Sequence, residues 1–244
     1  MMLLLSGEGP TDIGRCQVAV SPCKGDQFQP GPMAVIVDQL AESKLGYSML
    51  DSGAVACIDE HCLAQRSKGI ALPRSPRLPG NKTKRDTTYF RKNAIALGLA
   101  AKDLEREREL PVVAVLFRDS DGSNSSTRSL WEDKFCSMVS GFRDAGFDRG
   151  VPMVPKPKSE AWLLCALKSN PYQHCADIEN ESGNDSSPNS LKMQLDVAVG
   201  GHASAESLTD WVRTGRIDPG RINMPSMDKF KDELNRAMDN ALSH

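Results

Sequence analysis

The run Val112-Val113-Ala114-Val115-Leu116-Phe117 constrains this chain more than any other stretch. Six consecutive apolar residues with no polar alternation describe a strand covered on both faces, and such strands belong to parallel sheets whose crossovers are helices. The flanking sequence supplies those helices. From about Thr87, the residues Phe90, Ala94, Leu97, Ala101 and Leu104 recur at spacings of three and four. After the strand, Leu130, Trp131, Phe135, Met138, Val139 and Phe142 form a second apolar stripe that stops at Gly146. Residues 2–6 read as a first buried strand. A helix carrying Met33, Ile36, Val37, Leu40 and Leu45 follows, with Gly46 as its stop. The apolar piece Val151 to Val154 leads into a helix, AWLLCALK.

This alternation predicts an α/β fold, a mostly parallel sheet flanked by helices. With 244 residues, the chain has room for one sizeable domain over 1–168 and a helical C-terminal extension over 169–244. The extension carries Leu208, Trp211 and Val212 in one segment and Phe230, Leu234, Ala237, Met238 and Leu242 in the last. Residues 177–190 are polar and rich in Ser and Asn, which predicts a flexible loop. Residues 47–65 fit no single pattern.

A formal net charge of −2 argues against a chain that coats nucleic acid through bulk positive charge, and leaves room for a local basic patch. Residues 66–92 form such a patch: Arg66, Lys68, Arg74, Arg77, Lys82, Lys84, Arg85, Arg91 and Lys92 are opposed there only by Asp86. Pro73, Pro76, Pro79 and Gly80 make its first part a loop. The stretch is a candidate nucleic-acid track, with Lys82, Lys84, Arg85, Arg91 and Lys92 on the phosphates; the alternative is a solvated loop. Tyr89 and Phe90 offer rings that can stack on bases, although Phe90 lies on the apolar face of its helix.

The opening MMLLL is too short and lacks the basic lead of a signal peptide. Seven cysteines, an odd number without a CxxC pair, predict no disulfide framework and a cytoplasmic chain. Cys57, His61 and Cys62 have zinc-ligand chemistry but lack a matching second pair.

Three acidic clusters fall at expected strand ends, where open α/β sheets bind ligands. They are Glu8 with Asp12, Asp119 with Asp121, and Glu160. One such residue alone is as readily a turn former or helix cap. Gathered in one crevice, they repel unless a cation neutralises them, and a hard divalent ion with oxygen ligands does so.

LLLSGEGPTD resembles the first motif of Toprim domains, a strand followed by a glycine-flanked glutamate. VVAVLFRDSDG resembles the second, a strand ending in DxD. The resemblance covers about residues 1–165 and comes closest to the OLD-like (overcoming lysogenization defect) nuclease branch. There an aspartate follows the glutamate by four positions, as Asp12 follows Glu8. A Ser/Glu pair and a lysine follow a later strand, matched by Ser159, Glu160 and either Lys156 or Lys158. The resemblance implies a nuclease using Mg²⁺ or Mn²⁺. Glu8, Asp12, Asp119 and Asp121 would hold one ion and Glu160 would help hold a second, the two roughly 4 Å apart. One of the two lysines would offset transition-state charge; the alternative for Pro-Lys-Pro-Lys is a solvated turn. No histidine base is needed, which suits a chain whose four histidines sit near no motif.

Two other functions compete. Asp119-Ser120-Asp121-Gly122-Ser123 also resembles the nucleophile motif of haloacid-dehalogenase-type phosphatases, with Asp119 attacking phosphorus. That motif usually opens its domain, lies mid-chain here, and leaves Glu8 without a role. A calcium loop fits less well, because Gly122 is misplaced and residue 130 is Leu. The chain has no GxxxxGK[ST] loop, so any ATPase must be a partner protein. That leaves a Toprim-derived, non-catalytic binding subunit as a further reading. The substrate expected is nucleic acid, DNA before RNA, with no membrane partner and a role in defence or repair.

Overall fold

Val112–Phe117 lies at the heart of a sheet, fully buried along its length. The computed structural model describes residues 1–72, 84–120 and 127–243, leaving aside the side chains of 84–86 and 127–129. In chain order the elements are β1 (Met2–Gly7), β2 (Gly14–Cys16), β3 (Cys23–Lys24), β4 (Phe28–Pro30), α1 (Pro32–Leu45), β5 (Val55–Ile58), α2 (Glu60–Lys68), α3 (Lys84–Arg108) and β6 (Val112–Phe117). There follow α4 (Thr127–Asp144), β7 (Gly150–Met153), α5 (Ser159–Leu167), α6 (Leu191–Val199), α7 (Ala205–Arg213) and α8 (Pro225–Leu242). Among the described residues, five strands form one sheet in the order β3-β5-β1-β6-β7. β5, β1, β6 and β7 run parallel, and the short β3 pairs antiparallel to β5 at the edge. β2 and β4 form a separate antiparallel ribbon. The expected α/β sheet flanked by helices is present.

Side-chain alternation splits the core. Leu3, Leu5, Val113, Val115, Phe117, Val151 and Met153 face a layer that includes α1, α5 and α8. Met2, Leu4, Ala114, Leu116, Ala56 and Ile58 face α2, α3 and α4. Because both faces are covered, every position in β6 must be apolar, and this is the origin of its unbroken pattern. The C-terminal helices join the first of these layers. Trp162 of α5 stacks on Phe230 of α8, with ring centroids 5.9 Å apart, and donates its indole N–H to Ser226 Oγ at 2.8 Å. Residues 169–244 thus share a core with residues 1–168.

Two expectations are corrected. Residues 177–190 are not a loose loop throughout. Cys175–Asn180 is a helical turn in which Ile178 and Glu179 are buried, and Glu179 Oε1 accepts the amide of Ser226 at 2.7 Å. Two disulfides exist where none was expected, Cys16–Cys23 and Cys165–Cys175. They close loops of seven and ten residues, a proximity that arises from the fold and leaves no sequence motif. The turn after β1 spans Gly9–Ile13 with Asp12 inside it. Residues 47–65 hold β5 and the start of α2, whose N-cap Asp59 accepts the amide of Cys62 at 2.9 Å. No helix of the described residues is long and apolar enough to cross a membrane.

Candidate functional site

The carboxyl ends of β1, β5, β6 and β7 deliver Glu8, Glu60, Arg118-Asp119-Ser120 and Ser159-Glu160 to one edge of the sheet. Pairing of β1 with β6 puts Gly7 opposite Phe117, so the residues just beyond them, Glu8 and Arg118, begin side by side. A Cβ at Gly7 would approach Phe117 Cβ to 2.9 Å, so this close strand pairing excludes a side chain there. Two further glycines hold Asp12 in place. Gly9 has φ +74°, and a Cβ on it would lie 2.6 Å from Asp12 Oδ2. A Cβ on Gly31 would collide with the Asp12 carbonyl.

A chain of hydrogen bonds runs across the strand ends. Glu60 Oε1 accepts from Arg118 Nη1 at 2.9 Å, and the same nitrogen reaches Glu8 Oε2 at 3.4 Å. Glu8 Oε1 accepts the amide of Asp119 at 2.6 Å. Asp119 Oδ1 accepts the amide of Ser159 at 2.9 Å. Ser159 Oγ donates to Asp12 Oδ1 at 2.8 Å and lies 3.4 Å from Glu160 Oε2. Glu8, Asp12, Asp119, Ser159 and Glu160, spread over more than 150 positions of sequence, therefore occupy one site. Asp121 and Lys82 lie outside the described residues, as do the side chains of Lys84 and Arg85.

Burial governs the electrostatics. It pushes the Asp12 carboxyl above the usual carboxylate range, against the hydrogen bonds from Ser159 and Thr11 and the positive charge of Lys158. Burial also raises Glu160, and the negative charge of Asp12 raises it further. Two desolvated carboxyls, one of them raised further by the other's charge, are both favoured by an added cation, and the donors around them are oxygens. That chemistry fits a hard divalent ion. The side chains are instead engaged by protein donors, and among the described residues no three His, Cys, Asp or Glu side chains are grouped to share an ion. The same statement covers Cys57, His61 and Cys62; Cys57 is buried in β5, with its thiol pushed up to about 12 by burial.

The two lysines separate. Lys156 Nζ faces Glu179, 4.0 Å from its carboxylate. Lys158 pairs with Asp185 at 3.0 Å and its charge reaches both Asp12 and Glu160. Of the two lysines, Lys158 is the one whose charge acts on these carboxyls. Within the basic stretch, Arg91 is held by Asp144 at 2.6 Å, which ties part of its charge to α4.

Three members of the site escaped the sequence reading. Glu60 falls in the ambiguous 47–65 segment. Arg118 is 0% exposed, and its signal was strand alternation. Continuing the Val112, Ala114, Leu116 series, its side chain turns toward α3, whereas that of Asp119 turns toward α5. Lys134 sits in the apolar stripe of α4 beside Trp131, Phe135 and Met138, buried, with Nζ donating to the Ser120 carbonyl at 2.5 Å. A lysine on a helix's buried face was the visible clue.

Comparison with family models, with curated proteins and with solved structures finds no match.

Proposed function

We propose that the chain is a Toprim-like, metal-dependent nuclease of the OLD-like kind, hydrolysing phosphodiester bonds at the β-strand ends. The observation that carries this reading is Ser159, which donates through its hydroxyl to Asp12 and through its amide to Asp119. A residue that orients carboxylates from two separate strand ends is needed where those carboxylates must converge on one ligand. The Glu8 to Asp12 spacing and the Asp119-Ser120-Asp121 motif add the family resemblance.

In this reading Glu8, Asp12, Asp119 and Asp121 hold Mg²⁺ or Mn²⁺, with Glu160 toward a second ion. The bound ions supply Lewis-acid activation of the phosphodiester and of its attacking water. The protein's own groups do the rest. Ser159 fixes the Asp12 and Asp119 carboxylates, Arg118 neutralises Glu8 from beneath, and Lys134 anchors the Ser120 carbonyl. Lys158, already felt by both buried carboxyls, offsets charge that builds on phosphorus-bound oxygens. A partner ATPase and a place in a defence or repair system follow from the family resemblance alone.

The test is a panel of Mg²⁺ or Mn²⁺ against plasmid, single-stranded DNA and RNA, with and without candidate partner proteins. Cleavage by the wild type that is abolished in Glu8→Gln and Asp119→Asn, both still folded by circular dichroism, supports the nuclease. Silence throughout the panel overturns it. A covalent phosphoryl group trapped on Asp119 would replace it with a phosphatase.

A further inference from the structure

Tyr89, near the start of α3, stands one guanidinium away from the carboxylates. The Arg118 side chain lies against its ring, Cζ 5.3 Å from the centroid, while Nη1 of the same group reaches Glu8 at 3.4 Å. With a C–N bond of about 1.33 Å between those atoms, ring centre and Glu8 carboxylate are at most about 10 Å apart. A nucleotide spans a comparable distance between base and phosphate.

An exposed tyrosine alone would mean little. Here the ring is 42% exposed although Arg118 beneath it is 0% exposed. Among the described residues, Nε and Nη2 of that arginine find no hydrogen-bond partner. No acceptor among these residues draws this edge of the guanidinium away from the aromatic face, and Nη1 is shared between Glu8 and Glu60. Phe90 next door is buried and meets the Tyr89 ring edge-on at 5.9 Å, fixing it from the core side. The ring is therefore backed by a cation, braced by a second ring, and open to solvent. Such a face favours stacking with a base, whose electron-rich partner ring is polarised by the arginine below.

We propose that Tyr89, backed by Arg118, is a stacking platform for a base of a single-stranded nucleic acid entering the site. This rests on the nuclease reading and sharpens its substrate class. Bases paired inside a duplex do not present a free face, so a platform of this kind selects unpaired strands. Tyr89 is in this account a specificity-determining residue, with no part in the bond cleavage itself.

The experiment uses the full chain with Mn²⁺ and a fluorescently labelled single-stranded oligodeoxynucleotide, alongside the same strand carrying a run of abasic positions. Wild type is compared with Tyr89→Ala, Tyr89→Phe and Tyr89→Trp. Tyr89→Ala is expected to raise KM on the intact strand by about tenfold or more, with kcat within about twofold, while Phe and Trp stay within about threefold. On the abasic strand, wild type and Tyr89→Ala are expected to match. Unchanged KM for Tyr89→Ala beside an active wild type overturns the platform and leaves the nuclease reading standing. Equal losses on both strands also overturn it, since a merely structural ring would act so. A wild type inert on every strand overturns the nuclease reading, and this inference with it.

Discussion

Consider replacing Arg118 with methionine, which fills a similar volume without charge. Arg118 is among the largest fully buried side chains of the described residues, and its Nε and Nη2 find no partner among them. Each buried donor left without an acceptor costs about 1–3 kcal/mol. Against this stand three favourable contacts. The Glu60 partner is 45% exposed, so that pair contributes only about 0–1 kcal/mol. The Glu8 contact is long at 3.4 Å, and the Tyr89 face adds about 0.5–2 kcal/mol. The orphaned donors outweigh these contacts by roughly 2 kcal/mol, because Glu8 and Glu60, 32% and 45% exposed, stay hydrated once the arginine is gone. For a chain of this size, about 2–4 °C per kcal/mol, the melting temperature should rise by about 4–8 °C. Thermal unfolding followed by circular dichroism without divalent ions measures it. A fall of more than about 4 °C, equivalent to losing about 1 kcal/mol or more, would refute the reasoning, because Arg118 would then be a net structural anchor. The same variant should lose nucleic-acid cleavage through Glu8, which loses its arginine partner, and bind single strands more weakly through Tyr89.

Glu160→Gln should raise the melting temperature at neutral pH without divalent ions. Burial holds the folded-state pKa of Glu160 above its usual value, so the folded state binds the proton more tightly and stability falls as pH rises through that interval. The gain from Gln should therefore be full above the raised pKa and shrink as pH falls toward the ordinary glutamate value; a gain that grows on acidification contradicts this. For the cysteines, intact mass without reductant should be lower than the all-thiol mass by two hydrogens for each of the bridges Cys16–Cys23 and Cys165–Cys175. Iodoacetamide should label exposed Cys136 in the native protein and spare buried Cys57, whose thiol lies near 12, until urea unfolds the chain. Early labelling of Cys57 would show that β5 opens readily.

The central strands and long helices were legible because their causes are local. β6 is apolar at each residue, being covered on both faces, and α1 ends at Gly46, which takes the left-handed conformation at its C-cap. β5 was not legible: it has four residues, and its apolar character is interrupted at once by Asp59 and Glu60. The 177–190 segment looked loose because its polar composition hides long-range bonds, the Ser226 amide donating to Glu179 and Lys158 pairing with Asp185. The disulfides likewise depend on loops brought back by the fold. At the site, carboxylates following strands were readable from strand-end logic, and the structure brings Glu8, Asp12, Asp119 and Glu160 together. The cations were not, since Arg118 and Lys134 gain their meaning from the side of the strand or helix on which they are buried. The choice between Lys156 and Lys158 also needed the fold, through the positions of Glu179 and Asp185.

Manganese supplies the most direct test of the acidic centre, because it can be located by its anomalous scattering in crystals soaked with the ion. A peak is expected within direct ligand distance of carboxylate oxygens from Asp12 and Asp119, lost in crystals of Asp119→Asn. A well-ordered site with Ser159 still bridging both carboxylates and no manganese between them, at millimolar concentration, would contradict it.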